Sequence, residues 1–345
     1  MLFESTIKSE ATRQTYRIWL NKFLKFTKIK DYDSLITLRP KMIQEILEDY
    51  LLYCRNQRKY SPNTIFVTFA CLQSFFSYHV DGINFNRIRR MFPKREKTSG
   101  KKAYTTKQVR TILEFTQSKK LKACVHFMAC SGVRVGALSE MKRKHLADMP
   151  NGCKSILVYA DSIDEYTTFI TPECFDILEL YFAWRKSKGE KITDDSYLFV
   201  SPDGSKNSVR EICSQINTIA KKSLEREKSS SGRYDVMSSH GLRKRFNTIL
   251  KLRTDVNPNI AERLLGHSQS IRLDNAYFSP TIEQLFTEYE KVITDLSLSE
   301  KYRLEFQLKS EKAKTEKLEF DKDKRIEALE MKLEVMSEFL KEFKK

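Results

Sequence analysis

Five residues, widely spaced along the chain, could do chemistry together: Arg134, His240, Arg243, His267 and Tyr277. They stand in Ser131-Gly-Val-Arg-Val-Gly-Ala-Leu138, His240-Gly-Leu-Arg243, Leu264-Leu-Gly-His267 and Asp274-Asn-Ala-Tyr277. Arginine pairs bidentately with phosphate oxygens. Histidine moves protons near neutral pH. Tyrosine becomes a covalent nucleophile once its proton is taken. Its unperturbed pKa is about 10, so at neutral pH it needs a base or nearby cations. Two arginines also lower the cost of a charged pentavalent phosphorus without a metal. The set therefore suits attack on a nucleic-acid backbone by a tyrosine oxygen.

Other chemistries find less support. No Walker loop, H-E-x-x-H pair or dense carboxylate cluster stands out, which sets aside P-loop ATPases, zincins and two-metal nucleases. None of the seven cysteines forms a C-x-x-C pair, so no zinc knuckle is expected. Cysteines on apolar helical faces read as buried free thiols. The expected cofactor and metal complement is therefore none, with no small-molecule substrate. With no long uncharged apolar run and no signal peptide, no membrane partner is expected. A cytoplasmic protein, associated with nucleoid or viral DNA, is the resulting expectation.

The elements around these residues read mainly as helices. Tyr16, Trp19, Leu20 and Phe23 fall on one helical face. Pro40 opens a second helix, and Ser61-Pro62 caps a third. Residues 155–160 and 166–171 alternate like two strands joined by the turn Asp161-Ser-Ile-Asp164. Helices resume from Pro172, Asn207, Ser239, Pro258 and Pro280. Arg134 falls at a helix–turn–helix junction. His240 and Arg243, three apart, share a helical face. Gly266 permits a left-handed helix end that presents His267. From Leu298 a charged helix is expected. Ile326, Leu329, Leu333, Met336, Leu340 and Phe343 form a short heptad seam, a candidate coiled coil.

Charge points to the partner. The 345 residues carry 62 Lys+Arg against 45 Asp+Glu, a net of +17. Residues 1–97 hold 18 against 9, while residues 298–345 hold 13 against 12. Such a concentrated excess favours a polyanion, here double-stranded DNA. Arg87, Arg89, Arg90, Lys101, Lys102 and Lys244 are the candidate phosphate contacts. The expected organisation is a helical DNA-binding domain (1–92), a basic linker (93–103), a mixed catalytic domain (104–297) and the charged helix (298–345).

The order Arg–His–Arg–His–Tyr resembles the tyrosine recombinase, or phage integrase, family, and more closely its archaeal branch. The four stretches above carry the resemblance, with Tyr166-Thr-Thr-Phe-Ile-Thr-Pro-Glu173 as a second hairpin strand. It covers about residues 1–297. It implies a mainly helical fold with a small antiparallel hairpin: a SAM-like core-binding domain and an α+β catalytic domain, clamping DNA between them. It implies that Arg134 and Arg243 hold the scissile phosphate. His240 would accept the tyrosine proton, and His267 would bond a non-bridging oxygen. Tyr277 would attack, leaving a 3′-phosphotyrosine and a free 5′-hydroxyl. Four protomers would act on two duplexes. The implied activity is site-specific recombination, as the integrase of an archaeal virus or mobile element. Xer-like dimer resolution, and a DNA-binding descendant with weak or no cleavage, are the alternatives.

Two positions depart from the family pattern. The usual acidic residue three places after the first arginine is Ala137, with Glu140 a further turn away. The usual hairpin lysine, which protonates the leaving oxygen, is matched by Ile163. Residues 155–184 contain no Lys or Arg. Lys154 is the nearest lysine and the candidate general acid.

Overall fold

The computed structural model describes residues 2–94, 102–228, 234–267 and 278–342. Lys101 and Tyr277 lie outside the described residues. The chain divides into two compact units, Met1–Lys97 and Thr98–Lys345.

The first unit is helical. Its main helices are α1 (Glu10–Thr27), α2 (Pro40–Leu52), α3 (Pro62–His79) and α4 (Phe85–Arg90). Proline at N1 opens α2 and α3, where its missing N–H costs nothing. The Ser61 hydroxyl caps α3 by accepting from the Thr64 amide. The core is strongly aromatic: Phe23, Tyr50, Phe69, Phe75 and Phe76 are buried with Leu47 and Leu72. Phe23 meets Tyr50 edge-on at 5.0 Å, an arrangement that suits the ring quadrupoles. On α4, Arg87 pairs with Glu48 at 3.0 Å and Arg89 donates to Gln73 at 2.7 Å. Arg90 is exposed.

The second unit is α+β. It runs through α5 (Thr106–Phe115), α6 (Lys119–Ser131), a 3₁₀ turn (Val135–Ser139), β1 (Leu146–Asp148), β2 (Lys154–Val158) and β3 (Tyr166–Ile170). There follow α7 (Pro172–Ser187), α8 (Val209–Ser223), α9 (Ser238–Leu252), α10 (Pro258–Leu264), α11 (Ile282–Glu290) and α12 (Ile293–Leu296). The sheet order is β1-β2-β3, antiparallel throughout. Val158 pairs with Tyr166 and Lys154 with Ile170. The hairpin connection is thus Tyr159–Glu165, longer than the four-residue turn expected. β1 was not anticipated: three residues are too few to show an alternation.

α6 is the central helix, buried from Ala123 to Ser131. Arg245 on α9 is buried. It donates to the Asp295 carbonyl at 2.9 Å, the Ala129 carbonyl at 3.3 Å and the Thr106 hydroxyl at 3.0 Å. It ties α9 to α5, α6 and α12. The last helix, α13, spans Glu300–Glu342. Its base is held by Glu173, whose carboxylate accepts from the Leu298 and Ser299 amides at 2.7 and 2.8 Å. Tyr302 adds a bond to Asp176 at 2.6 Å. Beyond that base, Ile326, Leu329, Leu333 and Met336 are exposed.

Candidate active site

Two glycine turns build the site. Helix α6 ends at Gly132 with φ 66°, and α10 is followed by Gly266 with φ 59°. Both angles lie in the left-handed region that glycine adopts without penalty. Space enforces the same choice. A Cβ on Gly132 would lie 2.2 Å from the Phe246 ring, and one on Gly266 2.4 Å from the Tyr166 ring.

These turns aim carbonyls at the arginines. Arg243 is buried on α9 and donates from Nη1 to the Gly132 carbonyl and from Nη2 to the Leu265 carbonyl, both at 2.6 Å. Arg134 is exposed, directly before the 3₁₀ turn, and donates from Nη1 to the Gly266 carbonyl at 3.3 Å. Among the described residues, neither arginine makes an ion pair with a carboxylate. Carbonyls orient a guanidinium without cancelling its charge, so both cations stay available to an anion. Glu140 does not serve Arg134: it pairs with Lys206 at 3.2 Å. Ala137 is buried.

The histidines join the arginines. His240 lies one turn before Arg243 on α9. Partial burial first, then the charges of Lys244, Arg243 and Arg134, hold its pKa below the ordinary histidine value. The shift favours the neutral imidazole, which can accept a proton. His267 Nδ1 meets Glu262 Oε2 at 2.5 Å, which leaves Nε2 as the nitrogen for a ligand. Burial raises the Glu262 pKa, but bonds from Lys251 and His267 outweigh it and leave the carboxyl below its usual range. Glu262 is a residue the sequence reading missed. Its one signal is a spacing of five across the end of a helix, which is weak.

Lys154 is not brought to this cluster. It starts β2, four residues from Val158 and so about 13 Å along the strand. Its ammonium pairs with Asp148 and lies 4.3 Å from the Phe175 ring centroid. Lys102 is also elsewhere, paired with Glu227 and Asp235. Lys244 is half-buried one turn beyond His240. Ile163, at the hairpin tip, is fully exposed. Two hairpin tyrosines not anticipated as site residues do face the arginines. Tyr166 packs under Gly266, and its buried hydroxyl faces Arg243 without a well-formed hydrogen bond among the described residues. The Tyr159 hydroxyl lies 3.7 Å from the Cβ position of Gly136, two residues beyond Arg134.

A helical unit followed by an α+β unit that gathers two arginines and two histidines defines a protein suited to handling a phosphodiester. The chain belongs to the phage integrase family: that family's model matches residues 102–283, and its N-terminal SAM-like domain matches residues 3–82. It is a tyrosine-type site-specific recombinase, whose catalytic domain cleaves and rejoins DNA. No curated protein sequence matches the chain. Among solved structures it is similar to the XerH site-specific recombinase bound to difH in a post-cleavage complex. The identity is 18%, covering 77% of this chain and 78% of that one, with a TM-score of 0.54. It is also similar to a lambda integrase (75-356) dimer bound to a COC' core site. There the identity is 16%, covering 79% and 89%, with a TM-score of 0.53. The XerA recombinase is 20% identical, covering 82% and 92%, with a TM-score of 0.40. At these identities the likeness is one of fold. The mainly helical architecture and the small antiparallel sheet match the expectation from sequence. Among the described residues no helix is long and apolar enough to cross a membrane.

Proposed function

We propose that this recombinase is the integrase of a virus or other mobile element in an archaeon, acting as four protomers on two DNA duplexes. The scissile phosphate is gripped by Arg134 and Arg243. His240 accepts the proton of Tyr277, and His267 bonds a non-bridging oxygen, positioned by Glu262. Tyr277 attacks phosphorus, giving a 3′-phosphotyrosine and a free 5′-hydroxyl. The phosphodiester energy stays in the protein–DNA link, so religation needs no ATP. The observation that carries this reading is the pair of guanidinium groups oriented by carbonyls of the two glycine turns. A site that only bound DNA would not need a neutral histidine beside them. Arg87, Arg89, Arg90, Lys101, Lys102 and Lys244 supply phosphate contacts on either side of the cut. The long helix α13, absent from a minimal recombinase unit of two domains, favours the mobile-element role over dimer resolution.

The alternative is a DNA-binding descendant that no longer cuts. Ala137 and Ile163, standing where the family has an acid and a lysine, favour it. A duplex selected for binding and nicked near the cut traps the covalent intermediate and separates the two. A protein–DNA adduct that disappears in Tyr277→Phe supports the enzyme. Binding without any adduct would sink it.

A further inference from the structure

Cleavage as read above leaves one proton unassigned. When Tyr277 attacks, the P–O5′ bond breaks and its electron pair goes to the 5′ oxygen. A free alkoxide is a poor leaving group in water, so a donor at the site accelerates its departure. Lys154 is held by Asp148 at the far end of β2. The hairpin connection itself offers Asp161, Asp164 and Glu165, carboxylates that stand exposed on the turn. Tyr166 presents a buried hydroxyl, sealed beneath Gly266.

Tyr159 is different on three counts. It is only partly buried, so a bound strand can reach it. Its hydroxyl lies against Gly136, beside the Arg134 turn, and its ring lies 6.3 Å from that of Tyr166. Its backbone is held at φ 55°, a left-handed conformation that an aromatic residue rarely adopts. Strain of this kind gathers at functional sites, where surrounding structure enforces it.

We propose that Tyr159 donates the proton to the departing 5′ oxygen, from beside Arg134 at the base of the hairpin connection. The inference rests on the cleavage reading above. The balance is complete. Tyr277 oxygen bonds to phosphorus, its proton passes to His240, the P–O5′ pair goes to oxygen, and the Tyr159 hydroxyl proton completes the 5′-hydroxyl. The Tyr159 phenolate then faces Arg134 and Arg243. In religation it takes the proton back from the attacking 5′-hydroxyl. Burial lifts the Tyr159 pKa; Arg134 pulls it back, Glu140 adds to the rise, and Arg243 opposes it less strongly. A hydroxyl in that setting is protonated before the step, and Arg134 and Arg243 offset part of the cost of its anion after it.

The test compares two nicked duplexes of identical sequence, selected for binding to this protein. One carries the natural phosphodiester. The other carries a 5′-bridging phosphorothiolate, whose thiolate leaves without a proton. Adduct formation is timed for the full-length wild type and for Tyr159→Phe. The expected result is a loss of about 10²–10⁴-fold on the natural duplex, with the two proteins within a few-fold on the phosphorothiolate. An equal loss on both duplexes would show that Tyr159 acts structurally, and no loss on either would show that it is idle. Both results overturn the proposal. So does rescue of Lys244→Met by the phosphorothiolate with no such rescue of Tyr159→Phe, which would move the role to Lys244. Failure of wild type to form an adduct on either duplex sinks the cleavage reading itself, a result distinct from all of these.

Discussion

Replacing Gly266 by alanine tests the glycine-turn account of the site. Two costs are separable. The backbone at 266 has φ 59°, and holding an alanine there costs about 1–2 kcal/mol. The added Cβ would stand 2.4 Å from two carbons of the Tyr166 ring, and overpacking of this kind costs about 1–3 kcal/mol. The sum is about 2–5 kcal/mol, and in a unit this size each kcal/mol lowers Tm by about 2–4 °C. Calorimetry should therefore show the transition of the second unit lowered by roughly 4–20 °C, with that of the first unit unmoved. A double-mutant cycle with Tyr166→Ala then isolates the clash. In that background Gly266→Ala should cost only the backbone part, a coupling of about 1–3 kcal/mol. The carbonyls of Leu265 and Gly266 hold Arg243 and Arg134, so adduct formation should fall more than DNA binding does. Costs that add to within about 0.5 kcal/mol would refute the ring contact. An unchanged melt would refute both parts.

Other expectations follow from single side chains. His126 is buried on α6, and burial first, then Lys122, lowers its pKa from 6.5 to about 4. A depressed histidine pKa means that the unfolded chain binds the proton first. Its stability contribution is therefore complete above the unfolded value and is lost as pH falls toward 4, by about 3 kcal/mol. His126→Leu should flatten that part of the stability–pH curve, and parallel curves for the two proteins would refute the assignment. Glu173→Gln removes one of the two acceptors that hold the base of α13. Faster amide exchange at Leu298 and Ser299 is expected, and unchanged protection would show that the cap is dispensable. Ile163→Lys adds a cation at a fully exposed tip, so the fold should be unaffected. If the leaving-group proton limits the rate, cleavage should quicken, most of all in a Tyr159→Phe background. No gain in either protein would place the limit at another step.

Much of the scaffold was legible because it is written in local rules. Pro62 behind the Ser61 cap, the three-residue spacing of His240 and Arg243, and the glycine before His267 each have one favoured reading, and each takes it in the structure. The hairpin was legible from its alternation, though not the length of its connection. Tyr159 ends the strand by turning left-handed, which nothing in an aromatic residue announces. Lys154 shows the opposite failure. Nearness in sequence suggested it as the donor, but an extended strand carries a residue away about 3.3 Å at a time. Its partner Asp148 sits on β1, a strand too short to show in the pattern.

The orientation of the arginines was the least legible part, for a chemical reason. An acidic side chain can be sought by residue type, whereas a carbonyl is present at every position. Only the fold decides which carbonyls converge. Ala137, at the place where an acid is usual, is 1% exposed. A carboxylate there would be desolvated, and such burial is costly unless a cation pairs with it. With alanine at that position, the Gly266 carbonyl takes the orienting role. The exchange has an electrical consequence. A carboxylate would neutralise one of the two guanidinium groups, while carbonyls leave both charges for the phosphate. A site with two uncancelled cations holds the pentavalent phosphorus more strongly, and it also binds any phosphate more strongly. The additional grip on the ground state lowers the gain in rate. Discrimination between the two therefore falls to groups that act only as the bond breaks, His240 on the entering oxygen and a proton donor on the leaving one.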